Sequence, residues 1–96
     1  MSFFYVPYSG RKPKAVEING HRLVILAKDK HTLRDHLQSL GADTLRKVKT
    51  LEEPENDVGL IDKIARSAKA GIVFAPDEAP LADVIKELEQ QLPWLH

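Results

Sequence analysis

Two apolar runs joined by Asn19-Gly20 constrain this chain more than any other feature. The stretch runs Ala15-Val16-Glu17-Ile18, then Asn19-Gly20-His21-Arg22, then Leu23-Val24-Ile25-Leu26-Ala27. A two-residue type I′ turn needs positive φ at both central positions, and Asn followed by Gly tolerates it. The spacing therefore predicts a β-hairpin. Val16 and Ile18 share one face of the first arm and Glu17 takes the other. The second arm does not alternate. Five apolar residues in a row fit a strand covered on both faces, the pattern of an inner strand in an α/β sheet. The hairpin is expected to lead from a sheet border at 15–18 into the sheet's middle at 23–27.

Downstream, helical and strand patterns alternate. Leu33, Leu37 and Leu40 fall at i, i+4 and i+7, one helical face that stops at Gly41. Residues 44–51 alternate imperfectly and read as a short, half-exposed strand. The alternative there is a helix with Leu45, Val48 and Leu51 inward. Residues 51–56 form a loop broken by Pro54. Asn56 or Asp57 then caps a helix with the stripe Val58, Ile61, Ile64, Ala65 and Ala68, ended by Gly71. Ile72-Val73-Phe74-Ala75 is a second wholly apolar strand. Asp77, Glu78 and Pro80 lead into a last helix with Leu81, Val84, Ile85, Leu88 and Leu92 inward, stopped by Pro93.

The expected fold class is α/β in one domain over residues 1–96: an N-terminal β-hairpin feeding βαβαβα. Its small mixed sheet is mostly parallel, with helices packed on it. The two most apolar strands, 23–27 and 72–75, are placed side by side. The expected order is 15–18, 23–27, 72–75, 44–50, with only the first strand antiparallel. Residues 1–14 read as an aromatic and basic arm or an edge strand, because Pro7 cannot donate to a ladder.

Several function classes are excluded or disfavoured by composition. The 96 residues contain no Cys, which rules out a disulfide scaffold, a thiolate metal site and a cysteine nucleophile. No apolar run approaches the ~18 residues of a membrane span. The first fourteen residues place apolar groups before basic ones, the reverse of a signal peptide, so a cytoplasmic protein without membrane contact is expected. The βα turns carry no Gly, so neither a Walker loop nor a dinucleotide fingerprint is present and no cofactor is expected. No metal-ligand motif stands out either. Formal net charge is zero but unevenly spread. Residues 1–50 hold ten Lys/Arg against four Asp/Glu, a net of +6, and residues 51–96 hold four against ten, a net of −6.

Three readings of function follow. The first is a non-enzymatic protein-interaction or regulatory domain that binds a protein partner or itself as a homo-oligomer. Its contact residues would be Phe3, Phe4, Tyr5, Tyr8, Arg11, Lys12, Lys14 and Trp94, with the first hairpin arm as a sheet edge that a strand can extend. The second is single-stranded nucleic-acid binding through the same N-terminal segment with Arg22, Arg46, Lys47 and Lys49. There, rings would stack bases and cations would hold the backbone. The zero net charge counts against it. The third is a small acid–base enzyme. It would use His31, the side-chain type that exchanges protons near neutral pH, oriented by Asp29 or Asp77 at the C-terminal ends of parallel strands. No activated nucleophile accompanies that pair, so the reading leans away from an enzyme.

Overall fold

The computed structural model describes residues 2–34, 40–51, 53, 56–76 and 80–94, with residues 32 and 34 through their main chain only. The Asn-Gly turn forms as its residues dictate, with φ of 54° at Asn19 and 86° at Gly20. It joins β3 (Val16–Ile18) to β4 (His21–Ala27), in the register Val16↔Leu23 and Ile18↔His21. Val24, Ile25, Leu26 and Ala27 are all buried, alternating between the two faces of the sheet. β6 (Gly71–Ala75) lies parallel beside β4, from Leu23↔Gly71 to Ala27↔Ala75. The two wholly apolar strands are thus neighbours, since each needs cover on both faces.

The rest of the sheet overturns the mostly parallel βαβαβα expectation. Four of its five strand pairings are antiparallel, and β4–β6 is the parallel one among the described residues. The source of the difference is the N-terminal stretch. It is β1 (Ser2–Ser9), neither an arm nor an edge. β1 pairs along its length with β5 (Thr44–Thr50), from Ser2↔Thr50 to Tyr8↔Thr44. Its other edge meets β4 at Tyr5↔Ala27 and β2 (Lys12–Pro13) at Tyr8↔Pro13. The long strands therefore run β5–β1–β4–β6. Among the described residues β2 pairs with β1 and β3 with β4, on the edge of β4 opposite β6, and neither has a second partner strand. Residues 44–50 form a strand at the sheet's far border, beside β1 and not beside β6.

Pro7 explains how a proline-bearing strand becomes central. Its carbonyl accepts the Lys14 N–H at 2.8 Å, so its main-chain polar atoms face β2. Opposite β5 it occupies a non-hydrogen-bonded position, where no N–H is required. Alternation does the rest. Phe4 and Val6 are fully buried on one face, and Tyr5 packs on the other.

Helices cover both faces. α1 (Lys30–Arg34) and α3 (Leu81–Gln91) lie on one, around Ile25, Ala27, Leu33, Leu40, Leu81 and Val84. α2 (Val58–Ala68) lies on the other, over Phe4, Val6, Val24 and Leu26 through Ile64 and Ala68. Asp57 caps α2, its Oδ1 accepting the Leu60 N–H at 3.2 Å. The inward stripe omits Val58, which is 71% exposed. α2 ends at Lys69, not at Gly71. Lys69 adopts the left-handed conformation (φ 53°), and the Ala70 and Lys69 N–H groups donate to Ala65 O and Arg66 O at 3.1 and 3.3 Å. Leu37, Asp77 and Glu78 lie outside the described residues. No helix among the described residues is long and apolar enough to cross a membrane.

The hairpin also holds both long helices. Asn19 Nδ2 donates to Glu89 O and Leu92 O at the end of α3, and the His21 ring Nε2–H donates to Pro93 O at 2.7 Å. On the opposite face Arg22 Nη2 donates to Ala68 O at the end of α2, at 3.1 Å. Carbonyls at a helix C-terminus lack intrahelical partners, and cations there also complement the dipole.

Candidate interaction surface

The residues singled out for proton transfer separate into different roles. The carboxylate of Asp29 accepts the main-chain N–H of His31, Oδ1 at 2.9 Å, and so caps the start of α1. His31 is exposed. The Asp29 contact is to its main chain rather than to its ring. Lys28, nearby, pairs with Glu53 at 3.1 Å. Asp77 lies outside the described residues. Among the described residues no three His, Asp or Glu side chains converge as a metal site.

The aromatic candidates divide by face. Phe4 is 0% exposed and packs edge-on against Phe74, with ring centroids 6.1 Å apart. It belongs to the core, and no partner reaches it without unfolding. Tyr5 is half-buried against the α1/α3 core. Phe3 is half-buried with Lys47 Nζ 4.1 Å and Lys49 Nζ 5.9 Å from its ring centroid. Tyr8, on the opposite face, carries the Arg46 guanidinium 4.5 Å from its centroid. These contacts follow from strand pairing, since long cations on β5 reach rings directly or diagonally opposite on β1. Each is worth about 0.5–1 kcal/mol at an exposed site.

Of the basic candidates, Arg11 and Lys12 are exposed where β1 turns into β2. Lys14 is half-buried, its main chain tied to Pro7. Arg22 is committed to the end of α2. Trp94 is 70% exposed beyond α3, next to the Pro93 carbonyl that His21 holds.

Tertiary structure adds a feature absent from those expectations. A groove of about 430 Å³ lies between β5 and α2. Tyr8, Arg46 and Val48 form its sheet side, and Lys63, Ile64 and Ser67 its helix side. With Lys47 and Lys49 at the border, four cations and no carboxylate line it among the described residues, although the whole chain is neutral. Desolvated walls around charges of one sign focus a positive potential there. Lys63 and Ser67 carried no sequence signal, because on α2 alone they are ordinary solvent-facing polar residues four apart.

The opposite border differs. No described strand pairs with the outer edge of β6. A cleft of about 170 Å³ there is lined by Val73, Phe74, Pro76, Val84 and Leu88, with the polar Glu87 and Gln91 of α3. Phe74 belongs to the α2 face, whereas Val84 and Leu88 belong to the α3 face. The cleft therefore wraps around the strand's border. Set against protein-family models, curated proteins and solved structures, the chain matches none of them.

Proposed function

We propose that this chain is a non-enzymatic protein-interaction domain that self-associates through the border of β6. The observation that carries the reading is the contrast between the sheet's two outer strands. β5 bears Arg46, Lys47 and Lys49, and lysines on an edge discourage pairing with another copy. β6 reads Gly71-Ile72-Val73-Phe74-Ala75, without charge and without an internal Pro. Its three central residues are half-buried, and a cleft with Val73, Phe74, Val84 and Leu88 on its walls and Glu87 and Gln91 among its polar lining runs along its edge. Antiparallel pairing of two β6 strands across a two-fold axis is self-complementary. It brings no like charges of the two strands together and closes at a dimer.

Light scattering across micromolar to millimolar concentration tests this. The expected result is a rise from one to two chain masses, with amide exchange in residues 71–75 slowing as dimer forms. Gly71→Glu with Pro76→Glu would place carboxylates near each other across the axis and shift the equilibrium to monomer. A constant single-chain mass over that range would remove the proposal.

A further inference from the structure

We infer that the outer border of β5, with which no described strand pairs, binds, together with the groove beneath it, an extended acidic peptide of a partner protein by strand addition. Three observations converge there. The first is main-chain geometry. Pro7 turns its polar atoms to β2, so its partner Leu45 directs N–H and C=O away from β1. By alternation Lys47 does the same, and Lys49 after it. These are the groups an added strand pairs with.

The second is charge. Arg46 and Lys63 face the groove on one side of the border, and Lys47 and Lys49 flank Phe3 on the other. An added strand alternates its side chains between the same two faces. Carboxylates at successive positions would thus meet Lys47 and Lys49 on one face and Arg46 and Lys63 on the other. The third is selectivity. A second copy of β5 would bring like charges together, so the occupant is not this strand's own twin. A nucleic-acid strand would need free ring faces, whereas Phe3 and Tyr8 are half-buried with cations already over them.

The test is an amide-resolved NMR titration of the whole chain at low salt with a hexaglutamate peptide, which carries carboxylates on both faces of an added strand. A hexalysine peptide and an oligothymidylate serve as comparisons. The hexaglutamate peptide should shift and protect the Leu45, Lys47 and Lys49 amides, and the hexalysine peptide should not. Arg46→Gln with Lys63→Gln should weaken binding at least about tenfold. Both side chains are exposed, so the folded spectrum should persist. Lys63→Gln alone, distant from the sheet ladder, should give a smaller loss in the same direction. No shift at millimolar peptide would overturn the inference. So would binding unaffected by these variants, or groove shifts produced by the oligothymidylate and not by the peptide, which would assign the groove to nucleic acid.

Discussion

The side-chain amide of Asn19 donates to the carbonyl oxygen of Leu92 at 2.7 Å, across 73 positions of sequence, and to that of Glu89 at 2.8 Å. One residue thus supplies the positive φ of a hairpin turn and closes the last turn of a helix. Its 8% exposure means both bonds form away from bulk water, where a lost partner is costly.

Replacing Asn19 separates the two roles. Asn19→Gly keeps the turn and loses both bonds, a destabilisation of about 1–2 kcal/mol. Asn19→Ala adds the cost of a left-handed Cβ residue, for a total of about 2–3 kcal/mol. Asn19→Asp should be worse than Gly, because a carboxylate would face two carbonyl oxygens at the negative end of a helix. Urea unfolding midpoints give the order. Equal stability of the Asp and Asn forms would refute the assignment.

Lys69 occupies a left-handed position that ends α2 without a β-carbon-free residue. Lys69→Gly should stabilise the fold by about 0.5–1 kcal/mol, whereas Lys69→Ala should give no such gain. Thermal unfolding of the pair distinguishes relief of backbone strain from removal of charge.

Phe3 and Phe4 are adjacent and opposite in role. Phe4→Ala removes a fully buried ring beside Phe74 and should cost about 3–5 kcal/mol. Phe3→Ala mainly gives up contacts with two exposed lysines and should cost about 1 kcal/mol. Similar losses for both would contradict the strand's facing.

Val58 sits in the first turn of α2, exposed, with no acidic residue in that turn. Val58→Glu should raise stability by about 0.3–1 kcal/mol through the helix dipole. A clear loss instead would mean that the side chain is packed, as the inward stripe anticipates. Chemical denaturation at low and high salt checks both sign and origin, since the gain should fade with screening.

What the chain's own residues determined is what few neighbours decide. Asn19-Gly20 prescribes a turn, the runs at 23–27 and 72–75 demand cover on both faces, and Asp57 caps the helix it precedes. These follow from local φ preferences, side-chain period and capping, all readable within a few positions. The tertiary structure decided which strands pair. Pro7 argued against a central strand until Lys14 and Leu45 took up positions that need no donor from it. That one pairing moved residues 2–9 into the sheet, sent Thr44–Thr50 to the far border and made the sheet mostly antiparallel. It also assembled the basic groove, because Arg46 and Lys63 belong to elements whose adjacency is set by long-range closure rather than by either segment. The hairpin's ties to both helix ends were hidden for the same reason: Asn19 spelled out its turn, while its hydrogen-bond partners lay at the other end of the chain.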